Sequence, residues 1–145
     1  MPLLRRVSYE DEEVLAERCG MSGSETREMI GRSEAGSFEG RFFEMYAVVS
    51  GGQIVGLISL YGTEPSAVSI GPEIFEEYRG RGLAKAAMRE AMEIARSKGF
   101  GTVRQQIRCD NAASIALHRG LGFKTDGAVF KNRKQNDVCF FVKSL

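Results

Sequence analysis

Residues 79–84, Arg79-Gly80-Arg81-Gly82-Leu83-Ala84, put two glycines and two arginines into one short stretch, with Lys85 directly behind. The residues on either side say what that stretch joins. Before it, Val68, Ile70, Ile74 and Phe75 have the β-branched and aromatic character of a strand. After it, Leu83, Ala87, Ala91 and Ile94 recur at three- and four-residue steps. That spacing predicts one long helix to Lys98, with Gly99 as its stop. The first N–H groups of a helix have no intrahelical acceptor and lie at the positive end of its dipole, so an anion is favoured there. Gly80 and Gly82 lack the Cβ atoms that would keep an anion off the backbone, while Arg79, Arg81 and Lys85 add positive charge. The chemistry this pattern suits is phosphate binding. The plain alternative is a strand-to-helix turn with solvated arginines.

Two common phosphate loops do not fit. The chain holds no G-x-x-x-x-G-K-[ST] segment, and a dinucleotide fingerprint would need Gly or Ala at residue 85, where Lys85 stands.

The composition bounds the rest. A chain of 145 residues that is 43% hydrophobic suits a single domain over residues 1–145 with a packed core. Twenty basic against nineteen acidic side chains leave a net charge of +1, which gives no reason to expect nucleic acid as a partner. Cys19, Cys109 and Cys139 are scattered, show no metal-ligand spacing and suggest a reducing compartment, so no metal is expected. Met1 to Tyr9 is too short and too charged for a signal peptide, and no run approaches the ~18 apolar residues of a membrane span. A cytoplasmic protein without membrane contact is expected.

In chain order, Leu3 to Tyr9 reads as a strand. Glu10 to Glu13 then start a helix to about Cys19, as a solvated acidic turn or an attractor for a cationic acceptor. A shorter helix over 25–31 and a loop over 36–40 follow. Phe42–Ser50 and Gln53–Tyr61 form a hairpin about Gly51-Gly52. Beyond the long helix come a strand over 101–108, a helix over 112–119 capped by Asp110-Asn111, and strands over 123–130 and 137–142. The order β-α-α-β-β-β-α-β-α-β-β describes an α/β (α+β) protein, a mixed sheet with helices on both faces.

Two motifs carry a family resemblance. Arg79, Gly82 and Ala84 after the strand Ser69–Ile74 are similar to the acyl-coenzyme A site of the GNAT superfamily of N-acyltransferases. Asn111, Ser114, Leu117, Gly122 and Phe123 resemble that superfamily's N-x-x-[AS]-x-x-[LF]-Y-x-x-x-G-F signature. The likeness covers nearly the whole chain and is nearest the ribosomal-protein and aminoglycoside-like branches. It implies the GNAT fold, a mostly antiparallel sheet with a splayed central strand pair, opened by a bulge near Gly71 to Glu73. Acetyl-CoA and a primary amine are the implied partners, for a monomer or homodimer. Ile74 and Phe75 would pair with the pantetheine arm, Arg79, Gly80, Arg81, Gly82, Leu83 and Ala84 would hold the pyrophosphate, and Asn111 with Ser114 would complete the site.

The chain departs from the family at His118, where the signature has a tyrosine that protonates the leaving thiolate. Histidine can donate a proton in its place, or it can simply pack on its helix. Gln106 stands where some ribosomal-protein acetyltransferases carry a catalytic glutamate, and an amide cannot accept the proton. Glu73 is the candidate base, with Glu64, Glu76 and Glu77 behind it. Cys109 has no activating base near it in sequence, so covalent acyl transfer is not expected. Two functions stand at this point: acetyl transfer to a primary amine, or coenzyme binding without turnover. A nucleotide binder using only the glycine turn is a distant third.

Overall fold

The structure is a computed structural model that describes residues 3–145; Met1 and Pro2, which open the Met1–Tyr9 stretch, lie outside the described residues. Strand β1 (Leu4–Arg6) leads through a 3-10 turn into α1 (Glu12–Cys19) and α2 (Gly23–Ala35). Strands β2 (Ser37–Phe38), β3 (Arg41–Ser50), β4 (Gln53–Glu64) and β5 (Ala67–Ile74) precede α3 (Leu83–Ser97). Strand β6 (Thr102–Arg108), α4 (Ala112–Gly120), β7 (Phe130–Lys131) and β8 (Asp137–Ser144) finish the chain. The sheet runs β1-β3-β4-β5-β6-β8-β7, with β2 paired to β3 alone. Every pairing is antiparallel except β5 with β6. This is the expected mixed sheet.

Alternation along the strands divides the core into two layers. Val68, Ile70, Ile74, Val103, Ile107 and Phe141 pack with Ala87, Met88, Ala91 and Ala95 of α3 and with Leu117 of α4. On the other face, Ala47, Leu57 and Phe75 pack under Leu15 of α1 and Ile30 of α2.

Four local readings differ from the sequence expectation, the first being the two-residue strand β2 inside the loop expected over 36–40. Helix α2 continues past Gly31 to Ala35, because Thr26, Ile30 and Ser33 form one buried stripe and the Ser33 hydroxyl accepts the Met45 N–H at 2.8 Å. Burial of that face outweighs one glycine in a helix, a cost of about 1 kcal/mol. The strand expected over 123–130 is reduced to a bridge between Lys124 and Val142 and to the two residues of β7. Thr125 and Asp126 instead accept the N–H groups of Gly127 and Ala128, so local side-chain bonds replace the ladder. The acidic turn is not simply solvated, since Asp11 is buried and binds Arg5 through both oxygens at 3.0 Å.

Gly56 marks where β4 and β5 press together beside the glycine turn. A Cβ there would collide with the Glu73 carbonyl oxygen and sit 3.0 Å from Ile74 Cα. Gly56→Ala is expected to lower the unfolding free energy by about 2 kcal/mol, read as a lower urea midpoint at constant slope. Gly101→Ala, whose Cβ would meet open space, should change it by less than about 0.5 kcal/mol.

Candidate active site

The site begins where two strands part. Strands β5 and β6 pair in parallel only at Ala67↔Thr102 and Val68↔Val103, although β5 runs on to Ile74 and β6 to Arg108. On its other side β5 stays in register with β4 from Val68 to Ile74, so the splay needs no bulge at Gly71 to Glu73; the β4–β5 register shift lies at Gly62/Glu64. Strand alternation then turns the backbone of Ile70, Pro72 and Ile74 toward the gap. Ile70 is satisfied there by the Gln105 side chain, which accepts its N–H at 2.8 Å and donates to its carbonyl. The Ile74 carbonyl accepts Arg79 Nε–H at 2.9 Å. Pro72 has no N–H to strand. Its carbonyl and the Ile74 N–H face the gap with no strand opposite them.

The gap opens toward the N-terminus of α3. Gly80 and Gly82 take φ of +79° and +74°, the left-handed region that suits glycine, and the positions of their absent Cβ atoms meet open space. Gly82 has no side chain to cap the helix and no acid lies in its first turn. The first N–H to reach a helical acceptor is that of Ala86, onto the Gly82 carbonyl at 3.2 Å. Those of Leu83, Ala84 and Lys85 point outward from the helix end. Arg79, Arg81 and Lys85 lie in and just after this turn, with the Arg81 guanidinium over the Tyr78 ring at 5.8 Å from its centroid, and like charge at a positive pole is an arrangement that an anion would relieve. Lys85 Nζ also reaches the C-terminal end of α4, 3.4 Å from where a Gly120 Cβ would lie.

Phe75 is placed differently from its expectation. Its N–H donates to the Val55 carbonyl and its own carbonyl accepts the Tyr78 N–H, both at 2.9 Å, and its ring is buried beneath the Arg18 guanidinium. Its backbone has nothing left for a ligand. Asn111 is exposed, and its side-chain oxygen caps α4 by accepting the Ser114 N–H at 3.1 Å, leaving its amide N–H groups outward.

His118 is a buried histidine, 3% exposed, between Phe123 and Phe141. Nδ1 lies 2.7 Å from the Ser114 carbonyl and Nε2 lies 3.2 Å from the Gln105 amide nitrogen. Because Ser114 O can only accept and Gln105 Nε2 can only donate, the ring carries its proton on Nδ1 and is neutral. Burial lowers its pKa from the ordinary value, against a smaller opposing effect of the Ser114 carbonyl. The expectation of an acid facing the thioester therefore meets a neutral ring with both nitrogens engaged. Gln105 was not singled out from the sequence; a polar residue alternating with buried Val103 and Ile107 on a strand was the available signal.

Glu73 is exposed on β5, and its side chain takes the face of α1, where its charge raises the Cys19 thiol pKa as the smaller effect beside burial. Strand alternation places Gln106 on the same face and His118 across the sheet from both. Glu77 is bound by Arg18 through both oxygens, at 2.8 and 2.9 Å. Cys109 Sγ lies 3.2 Å from Cys139 Sγ, and that contact, with partial desolvation, pushes the Cys109 thiol pKa up, away from a nucleophilic thiolate. Among the described residues no group of three His, Cys, Asp or Glu side chains is placed to hold a metal. Among the same residues no helix is long and apolar enough to cross a membrane.

A strand pair that parts beside a glycine-bearing, uncapped helix start is the arrangement the sequence motifs imply. Residues 11–123 match the acetyltransferase (GNAT) family, and the chain belongs to that family. It is 35% identical over 86 residues to the N-alpha-acetyltransferase RimI of Mycobacterium tuberculosis, a match covering 54% of this chain and 50% of that one. To N-acetyltransferase 8B of Mus musculus it is 27% identical over 99 residues, covering 63% and 43%. The chain thus matches about half the length of these relatives or less. Among solved structures, RimL, a ribosomal L7/L12 alpha-N-protein acetyltransferase in complex with coenzyme A, superposes with a TM-score of 0.87 at 21% identity, over 99% of this chain and 97% of that one. The ribosomal-protein-alanine N-acetyltransferase of Brucella melitensis gives 0.81 at 23%, over 99% and 100%. At these identities the structural likeness is one of fold.

The His118 environment makes a pH prediction. The unfolded chain takes up a proton at His118 near the ordinary value of 6.5, while the folded ring resists it. The folded state binds fewer protons, so stability from this group is present above about 6.5 and is lost as pH falls through the lower folded value. Urea unfolding from pH 7.5 to 5 should show wild type losing stability faster than His118→Asn. Parallel curves would mean that the ring protonates freely in the fold.

Proposed function

We propose that this chain transfers an acetyl group from acetyl-CoA to a primary amine, a small molecule or a peptide α-amine, by direct attack in a ternary complex. The observation that carries this reading is the inner edge of β5 that no strand covers, leading to the uncapped, cation-bearing start of α3. The residues fit such a ligand. The Pro72 carbonyl and Ile74 N–H offer one acceptor and one donor to amide groups of a pantetheine arm. The N–H groups of Gly80 to Ala84 with Arg81 and Lys85 suit a pyrophosphate. Arg79 shapes that turn through the Ile74 carbonyl. Asn111 presents its amide N–H groups beside the arm, and Ser114 acts through the α4 cap and the His118 ring.

Acetyl-CoA supplies a thioester whose carbonyl carbon accepts the amine as the thiol departs. The protein's part is to hold the two reactants together, the largest benefit available without covalent chemistry. Glu73, exposed on the α1 face of β5, takes the proton released by the attacking amine, directly or through water. An α-amine, with a pKa of about 8, needs less help than a lysine at about 10.4, which suits a site with one solvated carboxylate. His118 stays neutral in the core, and the departing sulfur takes its proton from solvent.

A second reading, coenzyme binding without turnover, is favoured by the burial of His118 and by the amide at Gln106. Thiol release from acetyl-CoA with a panel of peptide α-amines and small amines separates the two. Turnover with at least one acceptor, lowered about a hundredfold by Glu73→Gln at unchanged coenzyme affinity, is expected. Saturable binding without thiol release for any acceptor would select the silent module.

The phosphate turn makes its own prediction. Gly82→Val forces a β-branched residue to positive φ and should weaken coenzyme A binding more than tenfold, a loss of more than about 1.4 kcal/mol. Arg79→Ala should weaken it by less than about fivefold, the range of a solvated charge contact. Calorimetry on both variants, with circular dichroism to check folding, reads the difference. Equal small losses would place the phosphates elsewhere.

A further inference from the structure

The side chain of Gln105 occupies a position where a sheet would place a strand. It is 5% exposed on β6, two residues beyond the last β5–β6 pair. Its Oε1 accepts the Ile70 N–H at 2.8 Å and the Ser69 hydroxyl at 3.0 Å. Its Nε2 has two hydrogens; one goes to the Ile70 carbonyl and the other to His118 Nε2. One primary amide thus satisfies both backbone groups of Ile70, as a neighbouring strand would, from a side chain's length away. No apolar residue can do this, because a buried N–H and C=O left unpaired are each costly.

We propose that Gln105 is a positioning residue: its amide sets the separation of β5 and β6 at the apex of the splay and fixes the His118 tautomer. The splay is the space assigned above to the pantetheine arm, so the functional consequence rests on that reading, whereas the structural one does not. The orientation of the amide is forced. Turning it over would set Oε1 against the Ile70 carbonyl and Nε2 against the Ile70 N–H, losing both bonds at once. His118 Nε2 therefore always meets a donor and cannot hold a proton. Ser114 on α4, Gln105 on β6, Phe123 after α4 and Phe141 on β8 surround the ring, and none is charged. Two cations, Lys85 from α3 and Lys143 from β8, reach the C-terminal end of α4, at 3.4 and 3.0 Å from the Cβ positions of Gly120 and Gly122. Both are of the sign that disfavours imidazolium.

The test uses the full chain with Gln105→Leu and Gln105→Glu. In wild type, nitrogen-15 NMR should show a neutral His118 with its proton on Nδ1 and no titration from pH 8 to 5.5. Gln105→Glu replaces the donor by an acceptor, and His118 should become an imidazolium at neutral pH. Gln105→Leu fills the volume but offers no amide. Hydrogen exchange at Ile70 should then accelerate about tenfold or more, while Leu60 on β4 stays protected. In the same variant the dissociation constant of coenzyme A should rise about tenfold. An Ile70 amide equally protected in Gln105→Leu, or a His118 that titrates normally in wild type, would overturn the proposal. Accelerated exchange with coenzyme affinity unchanged would overturn its functional half. If wild type binds no coenzyme A, the proposed function fails, and exchange with the His118 spectrum still decides the role of Gln105.

Discussion

The backbone of β5 cannot be left unpaired inside a protein, and the structure turns on how that demand is met. Beyond Val68 the strand keeps β4 on one side and loses β6 on the other. Each residue facing the gap is provided for differently. Ile70 is bonded by a glutamine side chain, Pro72 brings no N–H at all, and the Ile74 carbonyl is taken by an arginine of the following turn. What remains is one acceptor and one donor near the mouth, a pattern complementary to an extended ligand that carries amides.

Charge is arranged with equal economy in the two halves of the molecule. Two buried carboxylates in the N-terminal half are paired. Glu44, buried between β1 and the end of α3, holds Arg6 at 2.9 Å, Lys98 at 3.0 Å and the Tyr46 hydroxyl at 2.7 Å, while Asp11 holds Arg5. Around the start of α3 the logic is reversed. Cations gather at the positive pole of a 15-residue helix, a placement that opposes stability and makes sense for an anionic partner.

The two faces of the sheet divide the chemistry. Glu73 belongs to the α1 face and His118 to the face covered by α3 and α4, so the sheet lies between them. A neutral, fully bonded histidine contributes packing and geometry, with its ring edge-on to Phe123 at 4.9 Å. The Glu73 carboxylate, by contrast, is exposed to solvent. The strongest features of the site are its backbone groups, on the inner edge of β5 and at the start of α3.

Much of this was legible in the sequence because it depends on local rules. The hairpin about Gly51-Gly52, the long helix from Leu83 and the cap at Asn111 are set by turn chemistry, periodicity and short-range hydrogen bonds, which act within a few residues. The glycine turn with its three cations was visible for the same reason. Other features required the tertiary structure. That Phe75 turns its backbone to Val55, that Asp11 is buried against Arg5, and that α2 runs through Gly31 all depend on partners distant in sequence or on the sheet beneath. His118 and Gln105 show the limit most clearly. Thirteen residues separate them, and either alone reads as a surface polar residue or a candidate acid. Only when β6 leaves β5 and α4 folds over the gap do the Ile70 backbone, the amide and the imidazole meet. The roles of both side chains are decided by which donors and acceptors the fold leaves without other partners.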